Sequence, residues 1–378
     1  MAPIRALASV NLAAVERNCR RLKDELDRSA ALAAVVKADG YGHGASASAH
    51  AALAGGASWL AVATAEEAAA LRRDGLDARI LVMGALTDEE LTVALAADAD
   101  LVAWCEPFVE RLAALGGARV HVKLDSGMGR LGTRDIEQAR RVAAAVDADD
   151  RLELAGAMTH FATADETDND FFAEQLARFQ PFADEVKRAH PDAVVHAANS
   201  AATLRERAAH FDLVRCGVAV YGMDPFLTDP SARGLEPALE LLSYVADVKP
   251  VEPGESVGYG RRFVAQRQTR VAVLPIGYGD GVRRGLTNNA DVLIGGRRHP
   301  LVGTVSMDNI TVDLGLDSEV APGDEAKLIG ASGEQWITAE EVAQRLDTIN
   351  YEVTCSISAR VPRVHHRDGL PWARERGG

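Results

Sequence analysis

Eight short apolar runs, each followed by a helical pattern, occupy this chain of 378 residues as far as Arg215. They are Leu32–Val36, Trp59–Val62, Ile80–Met83, Leu101–Ala103, Val120–Leu124, Leu154–Met158, Val194–Ala197 and Leu213–Arg215. Each has the length and continuity of a buried strand. One strand and one helix, eight times over, is the pattern of a closed parallel barrel. Ahead of the first run, Asn11 reads as an N-cap, with Leu12, Val15, Cys19, Leu22 and Leu26 following at helical spacing. Thr64 with Glu67 and Thr87 with Glu90 carry the capping-box spacing at two further helix starts.

From about Leu239 the texture changes. Ser243–Val248, Thr269–Leu274, Asp291–Ile294 and Asn309–Val312 are short and β-rich. Turn signals separate them: Pro253-Gly254, Gly279-Asp280-Gly281, Gly295-Gly296 and Pro322-Gly323. One short helix is expected near Ala339–Leu346. The expected fold class is therefore α/β plus β: a (β/α)8 TIM-type barrel over 1–236, then a mainly-β domain over 237–378 with which the first few residues pair. The tail from His365-His366 onward reads as a solvated end, its histidines on the surface and not metal ligands.

Composition narrows the function classes. A net charge of −14 offers no basic face to nucleic acid or to an anionic membrane. No apolar run approaches the roughly 20 residues that span a bilayer. Met1 to Arg5 leads into no apolar core of signal-peptide length. Four cysteines are scattered without metal spacing. These features predict a reduced, cytoplasmic enzyme without a metal.

In such barrels chemistry gathers at the strand C-termini. Lys37 follows the first strand, and Lys123, Asp125 and Arg130 end or follow the fifth. His160 follows the sixth, Asn199 and Ser200 the seventh, and Arg215 ends the eighth. Lys37 leaves an apolar run and enters Ala38-Asp39-Gly40-Tyr41-Gly42-His43-Gly44, which reads as a flexible glycine loop. A partly desolvated lysine has a neutral, nucleophilic amine able to form a Schiff base. The plainer reading is a lysine whose stem snorkels out of a strand end. Asn199-Ser200 opens a helix, and Gly217 and Val218 can add backbone donors, so this corner suits a phosphate. Simple capping explains Ser200 equally well. A Schiff-base lysine together with a phosphate corner suggests pyridoxal 5′-phosphate.

Nine segments together resemble the bacterial alanine racemase family of fold-type III pyridoxal phosphate enzymes, over nearly the full chain. They are Val36 to Gly44, Lys123-Leu124-Asp125-Ser126-Gly127-Met128-Gly129-Arg130, Thr159 to Asp165, Ala198-Asn199-Ser200, Arg215-Cys216-Gly217, Val257-Gly258-Tyr259-Gly260, Gly277 to Gly281, Ser306-Met307-Asp308 and Asn350-Tyr351-Glu352-Val353. The resemblance implies that Lys37 carries the cofactor and that Tyr41, Ser200, Gly217, Val218 and Tyr351 hold its phosphate, with Asn199 and His160 also at the cofactor. Arg215 would face the pyridine nitrogen. Arg130, steadied by Lys123, would engage the cofactor and the substrate carboxylate. Tyr259 and Met307 would come from the other subunit of a homodimer, and Asp308 and Tyr278 would line the entrance.

The implied activity interconverts L- and D-alanine and supplies D-alanine for peptidoglycan. Lys37 would serve one face of the α-carbon. Tyr259 would serve the other if nearby positive charge lowers its reference pKa of about 10, with His160 beside Arg215 as the source. Arginine is donor-only, so the ring nitrogen opposite Arg215 must stay unprotonated. That leaves a less stabilised carbanion and restrains side reactions.

Met307 and Tyr351 should crowd the α-substituent, which suits a methyl group. Two departures, Ser306 where cysteine is common and Gly258 where serine is frequent, bear on fine specificity. The alternatives are a serine or broad-specificity amino-acid racemase and, less favoured, a non-catalytic pyridoxal phosphate carrier. Broad-specificity relatives are usually exported, and the carriers lack both the Tyr259 segment and a β domain.

Overall fold

The first strand, β1 (Ala6–Asn11), does not belong to the barrel. The barrel begins with β2 (Ala31–Val35) and continues through β3 (Trp59–Val62), β4 (Arg79–Val82), β5 (Ala99–Ala103), β6 (Ala118–Lys123), β7 (Leu152–Met158), β8 (Val194–His196) and β9 (Leu213–Cys216). The computed structural model describes residues 4–27 and 29–372. All eight strands are parallel, and β2 closes the ring on β9 with Ala31 opposite Leu213. Every run read from the sequence lies within two residues of its strand. Interior positions such as Leu32, Leu60, Leu81, Leu101 and Val120 are wholly buried, which is why these strands read as unbroken apolar segments.

Two compact units divide the chain: Val15–Tyr41 with Ala45–Phe226, and Met1–Ala14 with Gly42–Gly44 and Leu227–Gly378. In the barrel unit both capping boxes form. Thr64 and Glu67 close the start of helix Ala65–Arg73, and Thr87 and Glu90 that of Asp88–Ala96.

The second unit is built around β1. Antiparallel to it lies β10 (Leu239–Tyr244), and β11 (Asp247–Val251) follows in a separate sheet. That smaller sheet runs β11, β14 (Thr269–Leu274), β17 (Ile310–Asp313). Between β11 and β14 lies a hairpin of β12 (Ser256–Val257) and β13 (Phe263–Val264). Its Val257 and Phe263 pack on buried Val251, Ala265, Val271 and Val302. The larger sheet contains β15 (Asp291–Ile294), β16 (Arg297–Pro300), β18 (Glu325–Ser332), β19 (Gln335–Ile337), β20 (Arg363–Arg367) and β21 (Leu370–Pro371). Asn11 ends β1 and accepts from Ala13 N (3.1 Å) at the start of helix Leu12–Glu25.

Three readings of the second unit are corrected. Ser243–Val248 is not one strand. Val245 N donates to Asp324 O and Ala246 N to Val273 O, so the chain changes sheets there. A second helix, Asn350–Cys355, follows Ala339–Arg345 and is tied to it by Asn350 Nδ2 on Glu340 Oε1 (2.8 Å). Its Tyr, Val and Thr favour strands, so propensity hid it. As far as residue 372 the tail is not a solvated end: His365 and His366 lie in β20, which pairs in parallel with β1, while residues 373–378 lie outside the described residues. His365 Nε2 also sits 2.8 Å from the His43 carbonyl. Among the described residues no cluster of three metal-ligating side chains occurs, and no helix is long and apolar enough to cross a membrane.

Candidate active site

Lys37 leaves β2 into a turn of the wrong hand for L-residues. Ala38, Asp39 and Gly40 have φ of 52°, 53° and 61°, and Tyr41 follows at 52°. Such a conformation is costly for residues with a Cβ and persists only when its surroundings over-determine it. Here Ala38 N donates to Glu67 Oε1 (2.7 Å), Gly40 N to Val36 O (2.9 Å) and Ala45 N to Asp39 Oδ1 (3.0 Å). The segment read as a flexible glycine loop therefore begins with a pinned left-handed turn. Lys37 is half-buried at its start.

Across the mouth stand Lys123, His160 and Arg215. Burial, then the charges of Arg215 and Arg130, lower the Lys123 ammonium to about 8, despite Asp125. Arg215 is buried, which brings its guanidinium down to about 10. Its Nη1 donates to His196 Nδ1 (2.8 Å), and its Nη2 to the carbonyls of Thr159 (2.8 Å) and Ala197 (3.0 Å) and to His160 Nδ1 (3.1 Å). Among the described residues its Nε–H has no hydrogen-bond partner. A guanidinium only donates, so both facing histidine nitrogens accept. Burial first, then Arg215, Lys123, Arg130 and Lys37, hold His160 well below the usual imidazole range. His160 is neutral, so the positive charge here belongs to Arg215 and its cationic neighbours; assigning it to His160 is corrected.

The expected phosphate corner is assembled within the barrel unit. Asn199 caps helix Ser200–Arg205 through Oδ1 on Ala202 N (2.9 Å). Ser200 Oγ accepts from Gly217 N (3.0 Å) and Ala219 N (3.3 Å), and also hydrogen-bonds with the Cys216 side chain. Tyr41 lies against Gly217, where an added Cβ would come within 2.4 Å of its hydroxyl. Tyr221 backs Tyr41, with ring centroids 5.3 Å apart and its hydroxyl donating to Val35 O (3.0 Å). A hydroxyl pair, a helix start and the short turn Val218–Tyr221 thus meet around one glycine. The corner fits a phosphate, and the unpartnered Nε–H of Arg215 fits an aromatic nitrogen acceptor.

Arg130 rides a loop organised by Asp125. Burial would raise this carboxyl, but hydrogen bonds from Gly127 and Gly129 N–H, with Arg134 and Met128 N–H, leave it below the usual range. Arg130 itself is exposed.

In the second unit Tyr259, Tyr278 and Met307 are exposed by 75%, 42% and 51%. Their loops are mutually tied. Thr304 Oγ1 donates to Tyr259 O (2.6 Å), Tyr278 N to Ser306 O (2.9 Å) and Gly279 N to Met307 O (2.9 Å). Asp308 accepts from Arg360 (2.7 Å). Tyr351 is half-buried in helix Asn350–Cys355 of the same unit.

Sequence reading missed the polar interior behind Arg215: His196, His121 and Asp100, all fully buried. The available signal was a histidine interrupting each of the apolar runs Val120–Leu124 and Val194–Ala197.

A lysine at the end of the first strand, a cation-rich mouth and an anion corner make this a barrel built to hold an anionic group at the C-terminal ends of its strands. The comparisons specify its family. Residues 10–225 match the alanine racemase N-terminal domain and residues 238–365 the alanine racemase C-terminal domain. Alanine racemase 1 of Bacillus subtilis is 40% identical over 367 residues, covering 96% of this chain and 93% of its own. The alanine racemase of Symbiobacterium thermophilum is 44% identical over 369 residues, covering 95% and 96%. The crystal structure of alanine racemase from Streptomyces lavendulae superposes with a TM-score of 0.91 at 38% identity, over 97% of this chain and 98% of that one. The chain belongs to the alanine racemase family, a family of isomerases.

Proposed function

We propose that the protein interconverts L- and D-alanine with pyridoxal 5′-phosphate, and that it thereby supplies D-alanine for peptidoglycan in the cytoplasm. The observation that carries the reading is the framing of Arg215. Four protein acceptors hold its two terminal nitrogens while Nε–H is left over at a mouth shared with Lys37, Lys123 and His160.

Tyr41, Ser200, Tyr351 and the backbone of Gly217 and Val218 would hold the phosphate, with Asn199 fixing the helix start. Arg215 Nε–H would donate to the ring nitrogen, and His160 would keep the guanidinium oriented. When bound, the cofactor supplies a carbonyl that takes up an amine and a ring that accepts the electron pair left as the Cα–H bond breaks.

Lys37 Nζ takes or returns the proton on one face of the α-carbon. Tyr259 Oη of a second copy does so on the other, which makes the active form a homodimer with shared sites. Arg130 pairs with the substrate carboxylate. Lys123, readily deprotonated, acquires a lone pair that can accept from Arg130, which is how one basic side chain steadies another. Met307 and Tyr351 crowd the α-substituent to the size of a methyl group, and Asp308 and Tyr278 flank the entrance.

The test is incubation of the cofactor-loaded protein with L-alanine and L-serine separately, followed by chiral analysis. Alanine should approach equal enantiomers well before serine. Faster conversion of serine would transfer the assignment to a serine or broad-specificity racemase, and no conversion of either would remove it.

A further inference from the structure

Behind Arg215 a line of buried polar groups runs through the barrel away from the mouth. His196 Nε2 lies 2.8 Å from His121 Nδ1, and His121 Nε2 lies 3.0 Å from Asp100 Oδ2. Asp100 is met from the far side by Arg79 and by Arg119 Nε at 2.6 Å. None of the three middle groups reaches solvent. The barrel makes room for them. The pairing of β6 with β7 shifts register between Val120 and His121, where β7 carries the extra residue Ala155 and so brings Gly156 opposite His121. At Gly156 any Cβ would come within 2.4 Å of His121 Nδ1. Trp59 packs edge-on to the ring with centroids 5.8 Å apart, and Arg79 lies 4.2 Å over the Trp59 ring.

The two ends of the line dictate its direction. Arg215 cannot accept, so His196 Nδ1 must, and the proton of a neutral His196 sits on Nε2. That N–H points at His121 Nδ1, which must accept in turn, and the His121 proton therefore sits on Nε2. There it meets a carboxylate that can only accept. Burial, reinforced by Arg215, keeps His196 well below its ordinary range, and burial also lowers His121 against the pull of Asp100. Both rings are thus neutral, and the donors run Arg215, His196, His121, with Asp100 as the terminal acceptor.

We infer that Asp100 and His121 are positioning residues for Arg215: through His196 they fix one tautomer order along the barrel, so that Arg215 always finds an acceptor behind it and presents Nε–H to the mouth. Without an acceptor at His121, the His196 Nε2–H is buried with nothing to donate to, and only Arg215 still favours that tautomer. Its other tautomer would place N–H against N–H at Arg215, an arrangement with no hydrogen bond. This deepens the proposed racemase reading and rests on it for its functional consequence. The tautomer order itself is independent of activity.

The experiment uses the full-length, cofactor-loaded protein labelled with 15N-histidine. The ring nitrogen shifts report the tautomers, and His121→Gln identifies the His121 signals by their loss. His121 and His196 should each show an Nε2–H, neutral ring; an Nδ1–H or doubly protonated form at either overturns the inference. Glutamine can accept from His196 through its carbonyl and donate to Asp100 through its amide, so His121→Gln should retain the His196 tautomer and turnover within about twofold. His121→Leu should mix the His196 tautomers and lower kcat on the order of tenfold, the scale of losing one preorganised contact behind a charge-stabilising group, with KM for alanine little changed. Unchanged tautomers and kcat in a folded His121→Leu protein overturn it as well. If that variant does not fold, the tautomers of the unaltered protein still decide. An unaltered protein with the stated tautomers but no racemisation would remove the reading of activity and leave the tautomer order standing.

Discussion

Tyr41 and Gly217 share one surface: a single added carbon on Gly217 would lie 2.4 Å from the Tyr41 hydroxyl and 2.8 Å from its Cζ. Behind the ring, Tyr221 blocks retreat, its own hydroxyl committed to Val35 O. The contact joins the loop after the first barrel strand to the loop after the last. Gly217→Ala should therefore displace Tyr41 and loosen the phosphate corner. The expected outcome is a rise of about tenfold or more in the Kd for pyridoxal phosphate, the scale of losing one charge-assisted hydrogen bond. Fluorescence titration of the cofactor-free protein measures it, and the variant should still fold.

The depressed Lys123 ammonium gives a pH signature. In cofactor-free protein its pKa is lowered to about 8 from an ordinary value near 10.5, chiefly by burial and then by Arg215 and Arg130. A group that protonates less readily in the folded state loses stability as it becomes charged. Folding stability should therefore fall as pH drops from above 10.5 through about 8, and Lys123→Met should flatten that limb. Thermal unfolding across pH 7 to pH 11, as an approximate range chosen around these values, is the measurement.

Acid should act through carboxyls held low. At Asp125 burial opposes ionisation but the N–H groups of Gly127 and Gly129 prevail, and at Asp280 burial is overcome by Arg5 and Gly277 N–H. Such groups stabilise the fold above their unfolded pKa, near 3.9, and cease to do so as pH falls through their lower folded values. Asp280→Asn should lower the melting temperature at neutral pH and narrow the gap to the unaltered protein at strongly acidic pH. A gap that stays constant with pH would show that the Arg5–Asp280 pair is not what titrates.

If Tyr259 works in a second copy, mixing two inactive proteins restores function. Lys37→Ala and Tyr259→Phe chains, co-refolded or coexpressed so that they pair, should regain roughly a quarter of full activity, because hybrid dimers hold one intact site of two and form about half the population. No recovery in well-mixed hybrids would mean that each site is built within one chain. In α-proton exchange, Tyr259→Phe alone should impair one stereochemical direction more than the other.

The barrel was legible because its strands are buried on both faces, so apolar runs such as Trp59–Val62 stand out from amphipathic helices. The mouth was legible because Lys37, Arg215 and Ser200 stand where such runs end. What stayed hidden depends on tertiary context. The left-handed turn at Ala38 and Asp39 is held by Glu67, a residue distant in sequence whose visible role was only a capping box. His121 and His196 look like interruptions of strands until the closed barrel points them at each other. The neutrality of His160 follows from the donor it faces, which no local pattern reveals. In the second unit β20 escaped notice because its pairing partner, β1, lies at the other end of the chain.

The central claim is that Lys37 holds the cofactor. The chain has six lysines, so the claim can fail in five ways as well as by absence. Borohydride reduction of the pyridoxal phosphate-loaded protein, followed by proteolysis and peptide mass spectrometry, reads the site directly. The account predicts one pyridoxyl phosphate adduct per chain, on the peptide containing Lys37, and none in Lys37→Ala. An adduct on Lys123 or another lysine, or no adduct in a protein that racemises alanine, would contradict it.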